Sequence, residues 1–263
     1  MGVLNVTPDS FSDGGEFLDA EKAVERAIQM VEEGADIIDI GGESSRPGAD
    51  PVSESEELRR VLPVITALKD VINVPLSIDT FKASVAEKAL DTGVQMINDI
   101  SGLRGDGDMA KLAEERKVYT IIMHMKGTPK TMQANPSYDN LMIELVQYLE
   151  ERIAFAFSAG ITRKKIILDP GIGFGKRVED NFVILNELQT LVNLGYPVLV
   201  GPSRKSFIGL TLDLPENDRL EGTSATITAA VLNGAKIVRV HDVKEMRRVV
   251  LISDAIRLEG AAA

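Results

Sequence analysis

Polar side chains capable of chemistry recur along this chain at or just beyond the ends of short apolar runs. They are Asn5, Gly41-Gly42-Glu43, Asp79, Asn98, His124, Asp169, Ser203-Arg204-Lys205, and Arg239 with His241. A carboxylate such as Asp79 or Asp169 carries two acceptor oxygens and can meet a pair of adjacent N–H donors bidentately. Arg239 and His241 stand two residues apart, so an extended backbone projects both to one side, where a guanidinium fork and an imidazole can hold an anion.

The elements that must position these groups are eight apolar runs, at residues 3–6, 37–40, 76–78, 94–97, 118–123, 166–168, 198–200 and 237–240. Between them lie helical patterns. Asp19 is expected to cap a helix whose apolar face is Ala23, Val24, Ala27, Ile28 and Val31 and which Gly34 closes. Ser53 with Glu56 forms a capping box ahead of Leu58, Val61, Leu62, Ile65 and Leu68. Further amphipathic stretches cover residues 85–90, 112–116, 141–157, 182–192, 224–232 and 246–256. Alternating helices and near-continuously apolar strands predict an α/β fold with a parallel sheet, and eight alternations predict its closure into a (β/α)8 TIM barrel rather than an open doubly wound sheet. In a barrel of that kind, residues at the C-terminal ends of the strands share one catalytic face. The connections 5–18 and 41–52 are long and rich in Gly, Pro, Ser, Thr and Asp, as functional loops at that face often are.

The 263 residues suit one such domain over 1–263, with residues 260–263 expected to be a frayed tail. A hydrophobic fraction of 44% gives enough apolar surface for a large core. The net charge of −11 opposes non-specific binding to nucleic acid or an anionic membrane, although a local Arg, Lys and His cluster can still take a small anion. With no cysteine, disulfides, thiolate zinc sites and thiol nucleophiles are excluded, which fits a reducing compartment. No apolar run approaches the ~20 residues of a membrane span and the opening residues lack a secretory pattern, so the cytoplasm is the expected location.

Read as strings, the candidate sites are N-V-T-P-D-S-F-S-D-G-G from Asn5, G-G-E-S-S-R-P-G from Gly41, S-I-D-T from Ser77, N-D-I-S-G from Asn98, D-P-G-I-G-F-G from Asp169, G-P-S-R-K-S from Gly201 and V-R-V-H-D-V from Val238. In this order, over nearly the whole chain, they resemble dihydropteroate synthase. The resemblance implies a TIM barrel that condenses (7,8-dihydropterin-6-yl)methyl diphosphate with p-aminobenzoate, giving 7,8-dihydropteroate and diphosphate in folate synthesis, with Mg2+ on the diphosphate.

It also implies roles. Asp169 would take the aminopyrimidine edge of the pterin, Asp79 and Asn98 would complete the in-plane hydrogen bonds, and Lys205 would reach the carbonyl side. Met123 and Phe174 would line the pterin pocket. Arg239, His241, the Val240 backbone, Ser45 and Arg46 would hold the diphosphate. Ser45 replaces the family's usual threonine and keeps its hydroxyl. Asn5 and Asp13 would be the metal positions. Phe11, Pro47, the stem of Lys205 and Ser206 would hold p-aminobenzoate, where sulfonamides would compete. Asp79, Asp169, Lys205, Arg239 and His241 would form the catalytic set, stabilising a pterin-methyl cation and the departing diphosphate. The family also implies a homodimer, and a short hairpin ahead of the first strand; Met1 stands almost on that strand, so a barrel without this plug is expected.

Two rival readings are a sister barrel that passes a methyl group from methyltetrahydrofolate to a corrinoid protein, and a non-catalytic pterin-binding barrel. The first would use Asp79, Asn98 and Asp169 but not S-R-P-G, S-R-K-S or R-V-H; the second would have lost a key cation or carboxylate, and none is lost. His124 is expected to be a hydrogen-bonded structural histidine. G-I-G-F-G lacks the following acidic partner of a dinucleotide fingerprint. The charged stretch 54–60 is expected to be a solvated helix face.

Overall fold

The computed structural model describes residues 1–7, 15–46 and 48–259, so Phe11, Asp13, Pro47 and the 260–263 tail lie outside the described residues. Strands β1 (Gly2–Asn5), β2 (Ile38–Gly41), β3 (Leu76–Asp79), β4 (Met96–Asp99), β5 (Tyr119–Met123) and β6 (Ile166–Asp169) pair in sequence order, all parallel. β7 (Leu199–Val200) pairs with β8 (Ile237–Val238). Two parallel bridges, Leu168 with Val198 and Gly2 with Val240, close the ring. At the seam the Val3 amide donates to the Val240 carbonyl at 3.0 Å and the Val240 amide to the Met1 carbonyl at 2.9 Å. The eight predicted runs are the eight staves of a closed (β/α)8 barrel.

Ten helices surround it among the described residues: α1 (Gly15–Glu32), α2 (Glu54–Leu68), α3 (Ala83–Thr92), α4 (Met109–Arg116), α5 (Leu141–Ser158), α6 (Val178–Asn186), α7 (Leu188–Val192), α8 (Ser206–Leu212), α9 (Leu220–Leu232) and α10 (Val243–Arg257). Among the described residues, no helix is long and apolar enough to cross a membrane. α1 begins at Gly15, so Asp19 lies inside the helix and is not its cap. Ser53 does cap α2, accepting from the Glu56 amide at 3.3 Å, but the Glu56 carboxylate turns to Arg59 and Arg60 instead of closing the box. The stretch 54–60 is only partly a solvated face. Glu57 is 1% exposed and Arg60 donates to the Gly42 carbonyl at 2.8 Å, because this helix turns a charged edge inward to hold the second long loop.

Successive residues of a strand face opposite sides, so each stave sends one set of side chains to the helices and the other into the barrel. Outward-facing Leu4, Ile38, Ile40, Ile78, Ile97, Ile122 and Leu168 join Ala23, Ala27, Val61, Ile65, Val85, Ala89, Leu145 and Leu149 in the main core. Each such Leu, Ile or Val contributes about 1.5–3 kcal/mol by leaving water. Met1, Met96, Ile121, Ile167 and Leu199, with Ile37 and Ile237 against them, plug the barrel interior. Two residues further along stand Asp39, Asn98, Asp169 and Arg239. The same period that packs the floor with apolar side chains therefore delivers polar ones to the mouth.

Candidate active site

A linked set of charges forms the mouth. Arg239, leaving β8, donates through Nε to Asp39 Oδ2 at 2.6 Å and through Nη2 to Asp79 Oδ2 at 2.7 Å. Asn98 Nδ2 also donates to Asp39 Oδ2, at 2.9 Å. Burial pushes the Asp79 carboxyl up to about 7, reinforced by the neighbouring carboxylates of Asp39, Glu57 and Asp99 and opposed by Arg239. Burial works against the Arg239 charge too, but Asp39 and Asp79 hold its pKa above the ordinary value. The N-D-I-S-G string aims Asn98 through its second residue. The buried Asp99 accepts from the Ser101 amide at 2.7 Å, the Ser101 hydroxyl at 2.6 Å and the Leu103 amide at 3.0 Å, folding the chain sharply as it leaves β4.

Across the mouth, Asp169 ends β6 and accepts from the Gly171 amide at 2.7 Å. Burial raises its pKa against the pull of that hydrogen bond and of Lys205. Gly171 has φ of +66°, and a β-carbon there would sit 2.0 Å from the His124 carbonyl oxygen, so only glycine fits this turn. Lys205 crosses to donate to the Ile172 carbonyl, with its Nζ 4.3 Å from the centroid of the Phe174 ring. Burial lowers its pKa to about 7. His124 has the structural role expected of it: buried, with Nδ1 3.0 Å from Lys176 Nζ, its pKa pressed down to about 2 by burial and then by Lys176.

Above this floor opens a cavity of about 480 Å³ lined by Asn5, Thr7, Ser45, Arg46, Phe174, Arg204, Lys205, Ser206, Glu216, Arg219, Arg239 and His241, among others. Glu216 is the one carboxylate among the described residues that line it. Its neighbour is Arg46, which donates to it at 2.8 Å. His241 Nδ1 lies 3.0 Å from the Ser203 hydroxyl, and burial followed by the cations Arg239 and Arg204 lowers its pKa to about 3. The imidazole is therefore neutral, and it offers an anion a hydrogen bond rather than a charge. Ser206 opens α8 directly after Lys205, as expected of it.

Arg239 is not a surface residue: its guanidinium joins two carboxylates inside the barrel and its side chain is only 21% exposed. One expectation needs correction. The Val240 backbone is engaged in closing the barrel at both its amide and its carbonyl, so its amide is not free to donate to an anion. Met123 packs with Ile100, Met125 and Met132, with Phe81 and Phe174 against them. Asp79, Asn98 and Asp169 lie beneath the open cavity rather than on its wall.

A family model described as pterin binding enzyme matches residues 1–241. The chain is 49% identical over 257 residues to the dihydropteroate synthase of Synechocystis sp., covering 97% of this chain and 89% of that protein. It superposes with a TM-score of 0.93 on a dihydropteroate synthase crystal structure from Clostridium difficile in the presence of pteroic acid, at 48% identity and covering 97% of this chain and 95% of that one. A Yersinia pestis dihydropteroate synthase in complex with a sulfonamide drug also gives 0.93, at 45% identity, covering 98% of this chain and 94% of the other.

The chain belongs to the dihydropteroate synthase family of pterin-binding enzymes.

Magnesium, which this family resemblance implies, is tested by the donor set. Among the described residues no group of three or more His, Cys, Asp or Glu could form a cage. Asn5 does line the cavity, with its Oδ1 beside Gly41, whose β-carbon would stand 3.8 Å away. A cation that keeps most of its water and takes the rest of its ligands from phosphate fits such a sparse set.

The sequence reading of the dihydropteroate synthase site missed Asp39, Lys176, and the Lys82 anchor. Asp39 carried a signal, being a carboxylate inside a four-residue apolar strand on the inward period. Lys82 donates to Glu43, to Glu57 and, at 2.8 Å, to the Val52 carbonyl, tying the start of the 41–52 connection to its end and to α2. Nothing in the spacing of Glu43, Glu57 and Lys82 announces that contact.

Proposed function

We propose that this protein joins (7,8-dihydropterin-6-yl)methyl diphosphate to p-aminobenzoate, releasing diphosphate and forming 7,8-dihydropteroate, by the residues assigned below. The observation that supports it is the stacking of two chemistries at the barrel mouth: acceptors Asp79, Asn98 and Asp169 below, and the cations Arg46, Lys205 and Arg239 above. A methyl transfer would have no use for the upper layer.

The pterin lies on the floor, its N–H edge on Asp169 with Asp79 and Asn98, its carbonyl side toward Lys205, and Phe174 beside it. The diphosphate then meets Arg239, Arg46, the neutral His241 and the Ser45 hydroxyl. Asn5 would help hold a magnesium ion, which when bound would supply further stabilisation of the departing negative charge. The C–O bond to the methylene breaks as the electron-rich dihydropterin delocalises the positive charge, which the carboxylates of Asp79 and Asp169 favour. The p-aminobenzoate amine attacks with its lone pair, the C–N bond forms and the amine proton leaves to solvent. The aryl carboxylate sits toward Ser206 and the first turn of α8, and the aliphatic stem of Lys205 flanks the ring. Phe11, Pro47 and Asp13 are assigned to ring and metal contacts from the family pattern alone.

A second copy of the chain is the proposed partner, supported by the exposed Leu251, Ile252 and Ile256 of α10, and the cytoplasm the proposed setting. Diphosphate release measured with Mg2+, with and without p-aminobenzoate, tests the assignment of roles: release and dihydropteroate formation lost in both Lys205→Ala and Arg239→Ala support it, and either variant keeping full turnover refutes its assigned role.

A further inference from the structure

Asp39 does not itself line the cavity, yet it holds both Arg239, which does, and Asn98. It is fully buried, and its Oδ2 takes both the Arg239 Nε hydrogen at 2.6 Å and an Asn98 amide hydrogen at 2.9 Å. Asn98 is the group whose two ends are chemically opposite. Its nitrogen donates, its oxygen accepts, and a rotation about the last side-chain bond exchanges them. With the nitrogen engaged by Asp39, the oxygen is left over, and Asn98 Oδ1 is a buried acceptor without a hydrogen-bond partner among the described residues. An unpaired buried acceptor beside Asp79 at the β3–β4 register is a costly feature unless a ligand supplies the donor.

We infer that Asp39 is a positioning residue which sets the polarity of the pterin floor: by accepting from Asn98 it obliges that side chain to present an oxygen to the ligand, and by accepting from Arg239 Nε it aligns the guanidinium toward Asp79 and the cavity. A floor so arranged is built from acceptors only, Asp79, Asn98 Oδ1 and Asp169, and selects a ligand edge that carries N–H donors over an isosteric edge that carries acceptors. The inference rests on the pterin reading above. Ser77, on the inward position paired with Asp39, has a buried hydroxyl that makes no hydrogen bond to it among the described residues, so the contacts that Asp39 makes at the mouth are those to Asn98 and Arg239.

The test exchanges the two side chains and reads the affinity for a pterin without diphosphate, such as 6-hydroxymethylpterin, by calorimetry. Asn98→Asp sets two carboxylates against each other and is expected to lose about 10- to 100-fold in affinity, the scale of a hydrogen bond to a charged group. Asp39→Asn can donate to Asn98 and let it turn over, with a loss of similar size. The double variant Asp39→Asn with Asn98→Asp restores a donor–acceptor pair and still presents an oxygen upward, so it is expected to regain most of the affinity lost by Asn98→Asp, while KM for p-aminobenzoate stays unchanged in all three. A double variant that binds no better than Asn98→Asp, or an Asp39→Asn protein that binds as wild type, overturns the inference. Wild-type protein that fails to bind the pterin overturns the pterin reading instead. Should Asp39→Asn alone not fold, the comparison of Asn98→Asp with the double variant decides.

Discussion

Arg239 and Asp79 meet at 2.7 Å across the barrel mouth although 160 positions separate them in the chain. The pair couples the floor that faces the ring to the cavity that faces the anion, so a change to one group is felt in both.

Replacing Arg239 by alanine should leave Asp39 and Asp79 without their shared cation. A buried pair broken on one side costs about 3–5 kcal/mol, and loss of a charge-stabilising group at the leaving diphosphate should lower kcat by roughly 100- to 1000-fold. Urea unfolding and steady-state kinetics on the same preparation separate the two effects.

Asp79 titrates near 7 because it is buried among other carboxylates. A ligand N–H edge binds the carboxylate, so affinity for pterin should be nearly constant above that pH and fall as pH drops through it, by roughly tenfold per unit at the limit. Binding measured from pH 5.5 to 8.5 should show the fall in wild type and a weaker, flat profile in Asp79→Asn; a flat wild-type profile would remove Asp79 from the recognition set.

Lys205 is held below its ordinary 10.5, at about 7. In that window the unfolded chain binds more protons than the folded one, so this lysine lets stability rise with pH between about 7 and 10.5 and withdraws that stability as pH falls through 7. Lys205→Met should be more stable than wild type at pH 7, and the gap in thermal midpoint should narrow toward pH 10.

Gly171→Ala should be among the least tolerated changes at the mouth. The added methyl meets the His124 carbonyl oxygen at 2.0 Å in a left-handed conformation, and the backbone shift that relieves it moves the residue 171 amide away from the Asp169 carboxylate that accepts from it. A loss of about 1–3 kcal/mol is the minimum for such strain. Pterin affinity should fall along with the thermal midpoint, whereas Gly107→Ala, with open space at its β-carbon, should change neither.

The barrel was readable because its period is simple: apolar runs at regular intervals, punctuated by helix signals, leave little choice of architecture. The polar residues at strand ends were readable for the same reason, and Asp79, Asn98, Asp169, Lys205 and Arg239 do converge. Less accessible were contacts that join distant loops. Lys82 reaches back to Glu43 and Glu57, and no local pattern encodes a partner that lies on another stave. The charge state of His241 was equally hidden, since a histidine beside an arginine reads as two cations until burial is known. Asp39 could have been found by asking why a carboxylate sits mid-strand.

The seam of the barrel runs between Gly2 and Val240, and Asn5 on one side faces the same cavity as Arg239 and His241 on the other. The anion cavity thus belongs to neither half of the chain. During synthesis on the ribosome the residues that line this cavity emerge from both ends of the chain, so it cannot be complete until residue 241 has cleared the exit tunnel.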